Sequence, residues 1–219
     1  SIKSIIINIV TNSNLPYDLF EAENIAFKSL LNSLQSNQNI RKSFNFKFEG
    51  LKLLPLSIRL CKSLQKEEID SIFIWPDTGA TALAKVQPGS ENSLILSFKE
   101  LMNKDDILDK SDLLVAIAPK YFDYEIFESI CTRYSGPILT INPKLEEPIV
   151  GIGSVARQRR KSFLSSWENT FWLEPLERGA LMRSYPNDWQ IYKYTSQGYL
   201  FESYSTNKPS QEDLFAMLT

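Results

Sequence analysis

Apolar residues along the chain alternate between helical spacing and strand-like runs, and the switches lay out a repeating order of helices and strands. From Leu15 the spacing is helical: Phe20, Phe27, Leu31 and Leu34 fall on one side, with Leu19, Ala26 and Leu30 beside them. Asn14 is placed to cap this helix, and Asp18 and Glu21 suit its first turns. Residues 43–49 then alternate, with Phe44, Phe46 and Phe48 against Asn45 and Lys47, which predicts a strand with one buried face. A second helix over 55–66 carries Leu56, Leu60 and Leu64 four residues apart. The unbroken apolar runs at 70–75 and 113–118, and the shorter ones at 94–96 and 138–141, read as strands of a parallel sheet, buried on both faces. Helices over 80–85 and after Pro119, the latter with Ile126, Phe127, Ile130 and Tyr134 on one face, separate them. Residues 98–110 are acidic and fit neither pattern.

Beyond a basic helix near residue 160 the texture changes. Residues 169–174, 180–185, 189–194 and 199–204 are short aromatic-rich runs divided by turn material, which predicts antiparallel strands in sequence order. A last short helix over 210–218 has Ser210 as its cap. The expected architecture is therefore α/β: a Rossmann-like, mostly parallel sheet with helices on both faces and a C-terminal antiparallel β-meander. Residues 1–14 form an arm or strand, and 15–219 form one domain, of which 165–205 is the antiparallel extension. The apolar run at 2–10 is far short of the ~20 residues that span a bilayer, and reads as a strand or docked arm, with a membrane-touching anchor as the alternative.

Composition narrows the chemistry. The 219 residues contain no histidine, which removes the commonest general base, the Ser-His and Cys-His nucleophile pairs and imidazole metal ligands. The two cysteines, Cys61 and Cys131, lie in predicted helices with apolar neighbours and read as buried thiols, as in a reducing compartment. A net charge of -2 gives no global attraction to nucleic acid or anionic lipid. The concentrated basic patch is Arg157, Arg159, Arg160 and Lys161.

Ligands of open α/β sheets gather outside the carboxyl ends of the strands, and three such ends are identifiable: 76–79, 118–120, and Asn142 onward into a glycine loop. Asp77, Thr78 and Gly79 stand before a helix. They serve as its cap or, alternatively, present N–H and hydroxyl groups to a phosphate or carboxylate. Gly151 and Gly153 precede Arg157 and Arg160, which are three apart and so share a helical face, an arrangement suited to an anion. The competing reading is a solvated basic helix whose arginines pair with Glu146, Glu147 or Glu168. Neither a GxxxxGK[ST] phosphate loop nor the third glycine of the dinucleotide fingerprint is present. Asp105, Asp106 and Asp109 spell a diphosphate-metal pattern, but without the all-helical setting it requires they read as a solvated turn, and no metal site or cofactor is assigned. The aromatics Trp167, Phe171, Trp172, Tyr185, Trp189, Tyr192 and Tyr194 read as one sheet face on a core, or as a protein-contact surface.

Several segments together resemble one family: LPYDLFEAENIAF, IFIWPDTGATALA, LLVAIAP, and the long stretch from ILTINPKLEEPIVGIGSVARQRRKSFL to NDWQIY. They are similar to the cyanobacterial and plastid domain of unknown function 1995, over residues 15 to about 194. The most specific matches are Asp77 and Gly79 in the turn after a strand, the Asn142-Pro143 strand end, and Gly151, Gly153, Arg157 and Arg160. The resemblance brings no established catalytic residues. What it implies is a non-enzymatic auxiliary or assembly factor of photosystem biogenesis in the cyanobacterial cytosol or a stroma-like compartment, peripheral to the thylakoid. Its partners would be photosystem subunits or insertion machinery. The alternative is an enzyme or sensor that binds a phosphate-bearing or nucleotide ligand at the strand ends, and RNA binding through the basic helix is a third reading.

Overall fold

A computed structural model describes residues 14–36, 39–104, 106–107, 111–146 and 153–219. Residues 1–13 of the expected arm at 1–14, Gly151, Asp105 and Asp109 lie outside the described residues. In chain order the elements are α1 (Leu19–Ser36), β1 (Arg41–Phe46), α2 (Leu53–Lys66), β2 (Ser71–Trp75), α3 (Thr78–Lys85), β3 (Leu94–Ser97), α4 (Phe98–Met102), β4 (Leu113–Ile117), α5 (Tyr124–Arg133) and β5 (Ile138–Ile141). They continue with α6 (Ser154–Ser165), β6 (Glu168–Leu176), β7 (Gly179–Ser184), β8 (Trp189–Thr195), β9 (Gly198–Ser205) and α7 (Gln211–Leu218). The strands form one sheet in the order β3-β2-β4-β5-β1-β6-β7-β8-β9. Every pairing from β3 to β6 is parallel, and those from β6 to β9 are antiparallel. The sheet thus has the mostly parallel half and the C-terminal meander expected, and β6 joins the two by pairing parallel with β1 and antiparallel with β7.

Helices cover both faces. On the first, α1, α2 and α3 bury Ala22, Ala26, Leu30, Leu56, Leu60, Leu64 and Ala84 against Phe44, Phe46, Phe73, Val115, Phe171 and Tyr192. On the second, α4, α5 and α6 bury Phe98, Phe127, Ile130 and Phe163 against Ile72, Ile74, Leu114, Ala116 and Ile138. A smaller core on that second face packs Leu214 and Leu218 of α7 on Trp172, Leu181, Trp189 and Ile191. Each fully buried aliphatic or aromatic side chain here contributes about 2 kcal/mol.

Local chemistry explains most boundaries. α1 starts at Leu19, later than the helical spacing suggests, because Asp18 rather than Asn14 caps it: the Glu21 N–H donates to Asp18 Oδ1 at 2.8 Å. Its inward face is the small-residue face of Ala22, Ala26, Ser29 and Ser33, while Phe20 is 61% exposed. Ser210 caps α7 as expected, in a reciprocal box with Asp213. The ambiguous stretch after residue 97 holds one short helix, α4, with a capping box of Ser97 and Glu100.

β1 corrects one expectation. It was predicted to bury one face, yet it lies between β5 and β6, and Ser43 and Asn45 are as inaccessible as Phe44 and Phe46. Lys42 is buried too. Its ammonium donates to Ser33 Oγ at 2.6 Å, Ser33 O at 3.2 Å and Asn39 O at 2.5 Å, so all three protons are used. Ser33 and Thr170 in turn donate to Glu168 Oε1, tying the end of α1 to β1 and β6.

Burial also sets an alkaline limit on stability. It raises the Cys131 thiol from 9.0 to about 12, and the Tyr124 and Tyr192 phenols from 10.0 to about 12. The folded chain therefore keeps protons that the unfolded chain releases. This contribution is complete below pH 9 and is lost as pH rises through about 12. Lys42 and Lys208 act in the opposite sense, since burial lowers both below 10.5, but the three acids outnumber them. Urea midpoints should hold steady to pH 9 and then fall. In Cys131→Val the fall should be shallower by up to about 1.4 kcal/mol per pH unit once the thiol titrates in the unfolded chain.

Candidate binding site

The strand ends nominated by the sequence are present, but most of their polar groups are committed to structure. Asp77 is the cap of α3, its Oδ1 accepting the Ala80 N–H at 2.7 Å, and Thr78 and Gly79 are the first residues of that helix. The carboxylate thus occupies the helix N-terminus where an anion would have to sit, which favours the capping role over the anion role. Asn142 follows β5 with φ of 49°, a conformation asparagine tolerates better than most residues. Its carboxamide accepts the Phe46 N–H at 2.7 Å and donates to the Phe46 carbonyl at 2.9 Å, so the attachment of the chain to β1 continues one residue past the end of β5. Ala118, after β4, has φ of 46°, and Lys144 N donates to Pro119 O at 2.8 Å, so the exits of β4 and β5 also travel together.

The basic helix is docked rather than held out as a clamp. Gly153 precedes α6, and its carbonyl accepts the Arg157 N–H at 3.0 Å. Arg157 is exposed on that first turn. Arg160 lies over the Tyr124 ring, 4.3 Å from its centroid, and reaches Glu125 at 3.6 Å. Arg159 grips Glu128 with two bonds, Nε to Oε1 at 3.0 Å and Nη2 to Oε2. Among the described residues α5 thus supplies carboxylate partners to both Arg159 and Arg160, and Glu147, one of the acids the sequence offered, lies outside the described residues. Asp77–Gly79 at the end of β2 and Asn142 at the end of β5 are separated by β4, roughly 10 Å of sheet. Asp77–Gly79 and Asn142 therefore belong to two separate strand ends.

What the strand ends do enclose lies beside them. β5 is followed by a helix of the second face and β1 by a helix of the first, so chain leaves these neighbouring strands in opposite directions and a crevice opens between them. On the second face this crevice is a cleft of about 600 Å³, open between α6 and α7. Its floor is Ser43, Asn45, Thr140 and Asn169, with Trp172 and Glu174 of β6 along one side. Trp167 after α6 forms one wall, and Lys47, Lys144 and Lys208 stand at the rim. Asn45 Nδ2 donates to Ser43 Oγ at 3.1 Å and to Asn169 Oδ1 at 3.4 Å. Trp172 Nε1 donates to Glu174 at 3.0 Å. The Lys208 ammonium lies 3.7 Å from the centroid of the Trp172 ring, and that of Lys47 lies 4.8 Å from it. The Lys208 side chain still touches solvent, yet partial burial of its ammonium lowers its pKa below 10.5, with the nearby Lys47 adding to the shift and Glu174 and Glu146 opposing it.

Of this cleft the sequence reading names Trp167 and Trp172 as sheet-face aromatics, Asn45 and Lys47 as the polar side of a strand, and Glu146 as an arginine partner, without joining them in one site. A signal existed in the alternation of Ser43, Asn45 and Lys47 with phenylalanines. A strand with parallel neighbours on both sides has no solvent face, so polar residues on it must line something. The aromatics are likewise split: Phe171 and Tyr192 belong to the first-face core, Trp172 and Trp189 to the α7 core. Tyr194, at 59% exposure, belongs to neither. It pairs with Tyr199 across the β8–β9 hairpin, ring centroids 5.0 Å apart, and Phe201 pairs with Tyr204 at 4.5 Å. A groove of about 580 Å³ adjoins these rings on the first face, bounded by Tyr17, Phe20, Phe48, Pro175 and Tyr199.

Residues 16–216 match the family described as a domain of unknown function, DUF1995. The chain belongs to this family. The match takes in all nine strands, so the polar cleft and the aromatic hairpin both lie within the DUF1995 domain. A search among curated proteins found no match. Among the described residues no three His, Cys, Asp or Glu side chains come together to hold a metal ion, and no helix is long and apolar enough to cross a membrane.

The two assignments of Asn142, structural clamp or ligand group, differ in stability. Asn142→Gly keeps the left-handed backbone and removes both bonds to Phe46. It should cost about 2 kcal/mol in urea unfolding, and Asn142→Ala, which adds backbone strain, about 3 kcal/mol. Unchanged stability in both variants would return Asn142 to the ligand-binding set.

Proposed function

We propose that this DUF1995 protein is a non-enzymatic auxiliary factor of photosystem biogenesis. It works on the cytosolic or stroma-like side of photosynthetic membranes, in peripheral contact with them, and docks a protein partner on the aromatic face of its β8–β9 hairpin. The resemblance in sequence supplies the photosynthetic setting, and the physical chemistry of the hairpin supports the mode of action.

The observation that carries the reading is the exposure of four rings on one end of the sheet. Tyr194, Tyr199, Phe201 and Tyr204 are between 36% and 61% exposed, in two contacting pairs, and run on to the apolar groove beside Tyr17 and Phe20. Leu200 on β9 is also exposed. Scattered exposed apolar residues are ordinary, but a contiguous patch of this kind marks an interaction surface. Tyrosine suits it, because a large rigid ring loses little conformational entropy on binding and its hydroxyl remains hydrated at the rim. Subunits of an assembling membrane complex present the complementary chemistry, namely apolar segments not yet buried in their final neighbours.

The test is affinity capture from a thylakoid-containing lysate with a tagged copy, beside a Tyr194→Ser/Phe201→Ser/Tyr204→Ser variant of matched thermal stability. Photosystem or insertion-machinery subunits should be retained by the native surface and lost, roughly tenfold or more, with the variant. Absence of any such subunit from the native capture, or equal retention by the variant, would count decisively against the reading.

A further inference from the structure

Two lysines directed at one indole ring, over a floor that includes the buried amide of Asn45, are an unusual use of the middle of a sheet. We propose that the cleft between α6 and α7 binds a phosphomonoester of a small polyol, with Lys208 and Lys47 on the phosphate and Asn45 and Asn169 on the hydroxyls.

Charge is the first argument. Among the described residues Lys47, Lys144 and Lys208 face Glu146 and Glu174 across the cleft, a surplus of one positive charge. The Glu174 carboxylate already accepts the Trp172 indole N–H. Among the described residues none of the three lysines forms an ion pair. Lys208 and Lys47 both approach the same ring and so repel one another, a cost that a shared counter-ion removes. A monoanionic carboxylate neutralises one ammonium, whereas a phosphomonoester, with a charge near -2 at neutral pH, neutralises both.

The floor is the second argument. The bonds among Ser43, Asn45 and Asn169 use Asn45 Nδ2 and Asn169 Oδ1, which leaves Asn45 Oδ1 as an acceptor and Asn169 Nδ2 as a donor. A hydroxyl group, donor and acceptor at once, answers both. Ser43, Asn45 and Thr140 are at most 4% exposed, a cost in the centre of a sheet that apolar residues would not incur. Size agrees: about 600 Å³ is typical of a small-molecule site and far larger than a bare phosphate needs. A nucleotide fits less well, since Lys208 lies over the Trp172 face on which a base would stack.

Isothermal titration of the full chain with inorganic phosphate, glycerol 3-phosphate, glucose 6-phosphate and glucose tests this. The phosphate esters should bind about tenfold more tightly than inorganic phosphate, glucose should not bind, and added salt should weaken the esters. Lys47→Ala and Lys208→Ala, both exposed at the rim and so tolerated by the fold, should each weaken ester binding about tenfold. Asn45→Ala should bring the esters down to the level of phosphate. The hairpin variant described above should bind the esters normally, so failure here and failure of partner capture are separate results. The proposal is overturned if no ester binds in the millimolar range, if the lysine variants bind as well as the native chain, or if glucose competes as strongly as its phosphate.

Discussion

Parallel pairing on both sides of β1 is the constraint on which the rest of the structure depends. A strand in that position has no solvent edge, and each of its faces must meet either a core or an enclosed space. One face meets a core: Phe44 and Phe46 pack edge-on and tilted against Phe171 of β6, with centroids 5.0 to 6.2 Å apart, beneath α1 and α2. The other carries Ser43, Asn45 and Lys47, and among the described residues neither α6 nor α7 closes over it. α6 is drawn aside toward α5 by Arg159 and Arg160, and α7 is drawn the other way by the small core around Trp172 and Trp189. The cleft is the gap that these two attachments leave.

The same strand explains why Asn142, nominated for an anion, is committed to structure. For β1 to lie between β5 and β6, the crossover helix α6 must carry the chain over it, and the exit of β5 must be held against β1 while the chain turns away. Asn142 does the holding, with both halves of its carboxamide on Phe46. Asp77 closes α3 in a comparable way. Polar residues at strand ends satisfy backbone groups first, because an unpaired buried N–H or carbonyl costs about as much as a hydrogen bond contributes elsewhere. Only groups left over from that duty are available to a ligand, and here those are on the floor and rim of the cleft.

How much of this was legible in the sequence follows from where the deciding interactions lie. Runs such as Leu113 to Ile117 and the helical leucines Leu56, Leu60 and Leu64 declare themselves, since burial and periodicity are local properties. Ser210 as a cap was readable for the same reason. Strand order is not local. Nothing in residues 41–46 says that β5 and β6 will flank them, so the polar side of β1 was read as solvent-facing. One reading of the basic helix pairs its arginines with Glu146, Glu147 or Glu168, acids near in sequence, whereas α5, some thirty residues away, supplies Glu128 to Arg159 and Glu125 to Arg160. Trp172 and Tyr192 were put on one aromatic face because both alternate within strands. The passage from parallel to antiparallel pairing at β6, and the bulge where β1 meets it, decide their faces instead.

The cleft and the aromatic hairpin stand on opposite faces of one sheet and share a strand. Along β6, Trp172 and Glu174 face the cleft, while Leu173 and Pro175 line the groove that leads to the exposed rings. Adjacent residues thus serve different surfaces, which invites the idea that a ligand in one alters binding at the other. The packing argues against it. Leu173 is 5% exposed and Phe171 is fully buried, and β6 is bonded along its length to β1 and β7, so moving it would break two ladders at once. Coupling requires an element with two arrangements of similar free energy, and β6 offers only one. The two surfaces are therefore independent in energy, and anything that binds the folded chain at one of them stabilises the fold without changing the other.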